Sequence, residues 1–262
     1  MTRIYTLVNQ KGGVGKTTTA VNLAAYLAAL GQRVLLVDLD PQANATASLG
    51  VDKTKVVGGV YEALVHEIPP GDNVLHSPQL KFALLPSAPA LAGAEVELVS
   101  MLARENQLRK ALEKVNSHYD YILIDCPPSL GLLTVNGLVA ARSGVVIPVQ
   151  CEYLALEGLS QLTNTIARVR SALNPHLVIR GLVMTMYDGR ASLAQQVVKE
   201  VHKHFPGKVF KAIIPRSVRL AEAPSYGLPI CLYAPNSPGA LAYQALAEEL
   251  LKGDGKRKEY AD

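Results

Sequence analysis

Gln10-Lys11-Gly12-Gly13-Val14-Gly15-Lys16-Thr17-Thr18 is the stretch on which the reading of the fold turns. Its glycines let successive backbone N–H groups turn inward around phosphate oxygens, Lys16 places a cation on the outer phosphates, and the Thr17 hydroxyl suits Mg²⁺. In the ordinary phosphate loop a glycine opens the motif and a single lysine closes it. Here Gln10 stands in the opening place, and Lys11 adds a second cation ahead of the glycines.

The flanks supply the setting such a loop requires. Ile4-Tyr5-Thr6-Leu7-Val8-Asn9 is an apolar run suited to a buried parallel strand. After Lys16, the residues Val21, Leu23, Ala24, Leu27, Ala28 and Leu30 recur at helical spacing until Gly31. Strand, glycine loop and helix follow in the order that phosphate binding needs.

Two acidic elements follow. Val34-Leu35-Leu36-Val37-Asp38-Leu39-Asp40-Pro41-Gln42 places Asp38 and Asp40 at the C-terminal end of a buried strand, the edge of an open α/β sheet where ligands bind. A carboxylate there can orient a water or hold Mg²⁺ through its water shell. An acidic loop or helix cap ahead of Asn44 and Thr46 is the plainer alternative. Tyr121-Ile122-Leu123-Ile124-Asp125-Cys126-Pro127-Pro128 is a second apolar strand ending in a carboxylate, the usual acidic partner of a phosphate loop.

On these motifs the chain resembles the ParA/Soj proteins of chromosome and plasmid partitioning, within the deviant Walker A ATPases that also include MinD. The likeness runs from about Arg3 to Leu251 and extends to Pro148-Val149-Gln150-Cys151-Glu152-Tyr153, Met186-Tyr187-Asp188-Gly189-Arg190 and the stretch from Ile214 to Ser225. It implies a P-loop α/β/α sandwich with ATP and Mg²⁺ as cofactors and weak ATPase activity until a partner stimulates it. ATP would be sandwiched in a homodimer, Lys11 reaching the phosphates of the other chain. Gly12, Gly13, Val14, Gly15, Lys16, Thr17 and Thr18 would cradle the phosphates, with Lys11 and Lys16 stabilising phosphoryl charge. Asp40 would position the hydrolytic water, Thr17 would bind Mg²⁺, and Asp125 would support the metal from behind its ligands, with Asp38 a further indirect support. Pro215 and Ser217 would border the adenine. The partners implied are non-specific double-stranded DNA and a ParB-like centromere-binding protein, and the place of action is the cytoplasm, on the nucleoid. Two positions depart from the family pattern: Ala43 stands where many relatives have glycine, and Ser217 where the Soj branch commonly has asparagine.

Strand-like runs near 3–9, 33–38, 82–85, 120–125, 144–149, 178–186 and 208–214 alternate with helix-like stretches near 16–30, 90–116, 131–141, 153–173, 191–205 and 238–251. The alternation predicts a mainly parallel sheet covered by helices on both faces. The chain has 262 residues and no Ser/Gly/Pro-rich linker, and it reads as one domain over 1–252 followed by a short polar tail over 253–262. The first strand begins almost at the N-terminus, which predicts no signal peptide. Cys126, Cys151 and Cys231 lack metal-type spacing, so Cys126 reads as an inert buried thiol rather than a cluster ligand.

Charge is segregated. From Arg168 to Arg219 ten basic side chains face only Asp188 and Glu200, a local balance of +8 in a chain whose total is +4. Such a surface suits a polyanion bound through phosphates without sequence reading. By the family likeness Arg190 and Arg219 are the leading DNA contacts, with Arg216, Lys199, Lys203 and Lys211 as neighbours. His202 and His204 read as surface histidines. The competing reading is a MinD-like or other cargo-positioning ATPase with little direct role for DNA. A stable membrane association is not expected, because the residues after Leu251 have basic charge but no apolar face.

Overall fold

β1 (Arg3–Leu7), β2 (Val34–Asp38), β3 (Leu75–His76), β4 (Ala83–Leu85), β5 (Tyr121–Asp125), β6 (Gly144–Gln150) and β7 (Ile179–Thr185) form one sheet in the order β3-β4-β2-β5-β1-β6-β7. They are seen in a computed structural model that describes residues 1–258 apart from Pro78 and Leu154. Short β3 pairs antiparallel with β4, and the other neighbouring strands pair in parallel.

Side chains alternate across the strands, so each strand feeds both faces. Tyr5, Leu7, Leu36, Leu123 and Val146 pack with helices Lys16–Ala29 and Pro238–Lys258 on one face. Ile4, Leu35, Val37, Ile122 and Ile124 pack against helices Leu91–Glu97, Gln107–Glu113 and Leu132–Ala140 on the other. A third cluster joins Val145, Ile147, Val149, Leu182 and Met184 to helices Ala155–Ala172 and Ser192–His204. A sheet buried on both sides explains why the strands read as continuous apolar runs.

Six of the seven expected strands and four of the six expected helices lie within two residues of their predicted limits. Three segments differ, each for a visible reason. The stretch predicted as strand 208–214 is an interrupted edge. Leu182 N–H donates to Lys208 O at 2.7 Å, Phe210 N–H to Leu182 O at 2.9 Å, and Ile214 N–H to Met184 O at 2.8 Å. Between them, Lys211 N–H and Ala212 N–H donate to the Glu249 carboxylate at 2.9 and 3.1 Å, so a side chain replaces the ladder. The helix predicted over 90–116 breaks into two, with Ala103 left-handed at φ 51° between them. Asn136 satisfies the break, accepting from Leu108 N–H and donating to Arg104 O. The closing helix runs to Lys258 instead of ending at 251, so the polar tail expected from 253 begins within the domain; residues 259–262 lie outside the described residues.

Asp254 is the cause of that extension. Its carboxylate is 4% exposed and accepts from Tyr5 Oη at 2.7 Å, Tyr121 Oη at 2.9 Å and Arg180 Nε at 3.2 Å. Arg180 also lies over the Phe210 ring, 5.5 Å from its centroid. Arg180 therefore belongs to the interior and leaves the basic surface in which its sequence neighbours place it. Asp254→Ala removes the acceptor of two buried phenols and one partner of the largely buried Arg180, which keeps its bond to Leu250 O at 3.1 Å, so urea unfolding should show a loss of about 1–3 kcal/mol. A midpoint within error of the parent would mean that the clasp contributes nothing.

Candidate functional site

β1 ends at Leu7, and the chain then enters the glycine loop. Asn9 fixes the entry: its amide donates to Pro148 O at 2.7 Å and its Oδ1 accepts Lys11 N–H at 3.0 Å. Gly13 and Gly15 adopt φ of 74° and 87°, the left-handed region open to glycine without strain. Thr185, at the end of β7, donates its hydroxyl to Val14 O at 2.9 Å and holds the loop from the side. Lys16 opens the helix, and its ammonium curls back to Lys11 O at 3.2 Å. Burial lowers the Lys16 pKa, opposed by the nearby carboxylates of Asp125 and Asp40. The result is a concave set of backbone N–H groups at a helix N-terminus with a lysine over it, which suits an anion carrying several charges.

Parallel register sets the carboxylates beside that loop: Leu7 pairs with Asp125, which pairs with Asp38. Asp125 is fully buried, yet among the described residues neither carboxylate oxygen has a hydrogen-bond partner. Burial and the neighbouring Asp38 push its pKa well above the usual carboxylate range. The Thr17 hydroxyl and Lys16 ease that shift without a hydrogen bond of good geometry. A carboxylate stranded in this way calls for a cation or ordered water, so Thr17 and Asp125 fit a hard divalent ion.

Asp38, the further indirect support expected for the metal, has both carboxylate oxygens hydrogen-bonded within the chain. Its Oδ2 accepts Thr46 Oγ1–H at 2.7 Å and Thr46 N–H at 2.8 Å, and its Oδ1 accepts Asp40 N–H at 3.3 Å. Burial raises its pKa to about 6, against the pull of those bonds. Its oxygens therefore serve the Asp40 turn. Asp40 is 5% exposed, and its Oδ1 accepts Gln42 N–H at 2.9 Å. Ala43 takes a left-handed conformation, φ 52°, that glycine would adopt freely, so the departure at this position leaves the turn intact at some cost in strain.

On the other side of the loop, Gly15, Thr18, Thr185, Pro215, Arg216 and Ser217 line a cavity of about 240 Å³ floored by Leu220 and Tyr243. Pro215 and Ser217 thus stand beside the phosphate loop although they lie some 200 residues from it in sequence. Larger cavities open at the opposite end of the strands, one around Arg33, His76 and His118, away from the loop and the acidic cluster. Lys11 projects from the loop as an ion pair with Glu152, Nζ to Oε2 2.9 Å, the two side chains 38% and 45% exposed.

The basic candidates divide. Arg190 is 92% exposed and chelated by Asp188, while Arg219 pairs with Glu222 at 2.9 Å. Arg216 N–H bonds Tyr187 O at 3.0 Å, which brings the Arg190 turn beside the 214–219 segment, and Arg216 also lines the cavity. Lys199 and Lys203 are exposed on helix Ser192–His204, and Lys211 is exposed on the interrupted edge. No group of side chains suited to a metal ion by His, Cys, Asp and Glu clustering alone occurs among the described residues, and His202 and His204 are exposed. Ser87 and Thr185 shape this site without a motif to announce them, and Asn9, Thr46 and Glu152 lie in or beside motif stretches that give them no role of their own. Each has at least one partner far along the chain: Pro148 for Asn9, Ser87 for Thr46, Val14 for Thr185 and Lys11 for Glu152.

A family profile described as an AAA domain matches residues 2–179. The sporulation initiation inhibitor protein Soj of Bacillus subtilis is 55% identical over 95% of this chain and 98% of its own length. The chromosome partitioning protein ParA of Myxococcus xanthus is 54% identical over 96% of this chain and 89% of its own. A solved structure named cobyrinic acid a,c-diamide synthase from Mycobacterium smegmatis, with bound ADP and magnesium, is 40% identical with a TM-score of 0.85, covering 96% of this chain and 95% of that one. The same protein is similar again with an ATP analogue and magnesium bound. With a phosphate loop, two acidic strand ends and relatives of this closeness along almost its full length, the chain belongs to the ParA/Soj family of P-loop proteins.

Proposed function

We propose that this protein is an ATP-operated dimerising switch of chromosome or plasmid partitioning. The observation that carries the reading is the second lysine. Lys11 stands ahead of a complete phosphate cradle, exposed enough to leave its own chain. A triphosphate brought to a two-fold interface carries charge that must be countered from both sides, and a lysine from each chain supplies it.

Within the site, Lys16 and the loop amides hold the phosphates, and Pro215 and Ser217 border the base. Thr17, with Asp125 behind it, would hold Mg²⁺, which when bound neutralises phosphate charge. Asp40 orients the water that attacks the terminal phosphate. Most of the acceleration in such a reaction comes from position and fixed charge, so turnover stays weak until the second chain and a ParB-like stimulating partner complete the site. The dimer would coat double-stranded DNA through Arg190, Arg219 and neighbouring cations on the nucleoid. Their present pairs with Asp188 and Glu222 are exposed, and such pairs yield readily to phosphate. The Mycobacterium neighbour is named for a synthase, but its likeness of 40% is weaker than the 55% of the partitioning relatives. No helix among the described residues is long and apolar enough to cross a membrane.

Lys11→Ala removes an exposed ion pair of little stability value, so the variant should fold normally and still bind nucleotide. It should lose ATP-dependent dimerisation in sedimentation experiments, and a persisting dimer would contradict the cross-chain role. Asp40→Ala should dimerise with ATP and turn over about 100-fold more slowly; turnover at the parent rate would remove Asp40 from the reaction. Arg219→Glu should dimerise normally yet release DNA at a lower salt concentration than the parent. Equal retention across a salt series would exclude that arginine from the DNA surface.

A further inference from the structure

Asp40 lies in a closed ring of buried hydrogen bonds. Ser87 Oγ–H donates to Asp40 O at 2.7 Å, and Ser87 N–H donates to Thr46 Oγ1 at 2.9 Å. Thr46 Oγ1–H donates to Asp38 Oδ2 at 2.7 Å, and Asp38 Oδ1 accepts Asp40 N–H at 3.3 Å. Thr46 and Asp38 are 0% exposed and Ser87 1%. The peptide groups on both sides of Asp40 are thereby gripped, while its side-chain Oδ2 has no protein partner among the described residues.

The ring is assembled from three places in the chain. Asp38 ends β2, Thr46 lies in the short helix Asn44–Ser48, and Ser87 follows β4. Ser87 is itself anchored, since the carbonyl of the preceding Pro86 accepts Val60 N–H at 3.0 Å. The Asp40 turn needs such external bracing. It passes through a left-handed, fully buried Ala43, a conformation the local sequence does not favour on its own.

We propose that Thr46 and Ser87 are positioning residues for hydrolysis, their hydroxyls setting where the Asp40 carboxylate stands. The inference rests on the reading of Asp40 as the group that orients the attacking water. Both hydroxyls are engaged by protein groups, and each acts through the backbone that carries Asp40. A water held by one carboxylate oxygen tolerates little error, and a misplacement of about 1 Å is enough to lose about 100-fold in rate.

The test compares Thr46→Val, Thr46→Ser, Ser87→Ala and the parent, each as full-length protein with ATP, Mg²⁺ and DNA. Single-turnover hydrolysis, nucleotide affinity and ATP-dependent dimerisation are measured together. Thr46→Val and Ser87→Ala should lower the hydrolysis rate about 10- to 100-fold while affinity and dimerisation remain. Thr46→Ser, which keeps the hydroxyl, should restore the rate. In an Asp40→Ala background, Ser87→Ala should cause no further loss, because its effect passes through Asp40 alone. Parent-like turnover in Thr46→Val, or a loss of affinity and dimerisation equal to the loss of rate, would overturn the positioning role. So would failure of Thr46→Ser to recover. A parent protein that does not hydrolyse ATP would instead refute the proposed function, and this inference with it. If Thr46→Val does not fold, the Ser87→Ala rate and its behaviour in the Asp40→Ala background decide the matter.

Discussion

The site depends first on the register of three parallel strands. Because Leu7, Asp125 and Asp38 stand side by side across β1, β5 and β2, the glycine loop and the acidic strand ends emerge at one level. A slip of one residue would turn every side chain to the other face and bury the wrong set. Apolar packing on both sides of the sheet forbids that slip, so the interior that stabilises the fold also sets the geometry of phosphate binding.

Charge balance is the second constraint. Asp38, Asp40, Asp125 and Lys16 are all buried in a small volume. Asp38 is quieted by three hydrogen bonds and Lys16 by neighbouring carboxylates, whereas Asp125 has Lys16 and the Thr17 hydroxyl nearby but no hydrogen-bond partner among the described residues. The folded chain by itself is electrostatically incomplete at that one position, in the manner of a site built to receive a cation with its nucleotide. Lys11 is incomplete in the opposite sense, a cation held by a half-exposed carboxylate instead of by phosphate.

The far end of the sheet answers a different need. Asp254, Tyr5, Tyr121 and Arg180 lock the closing helix onto the N-terminal ends of the strands, away from the nucleotide cradle. That helix packs along Lys16–Ala29, the helix the phosphate loop begins, and Tyr243 shares a hydrogen bond of 3.1 Å with Thr19. Chain segments more than 200 residues apart in sequence thus support the loop from behind.

Features that depend on neighbours along the chain are legible in the amino-acid order. The phosphate loop, the two acidic strand ends and most strands and helices are local patterns, since glycine placement and apolar spacing act within a few residues. Tertiary structure alone decided what depends on partners from elsewhere. The edge near Lys211 is interrupted because Glu249 arrives to take its N–H groups, and the helix near Ala103 breaks because Asn136 satisfies the exposed backbone. Arg180, one of the ten basic residues between Arg168 and Arg219, is drawn largely inside by its pair with Asp254. Asp38 is tied to the Asp40 turn because Thr46 reaches its carboxylate. Burial and a hydrogen-bond partner are properties of position in three dimensions, and a residue's neighbours along the chain do not reveal who will meet its side chain across the sheet.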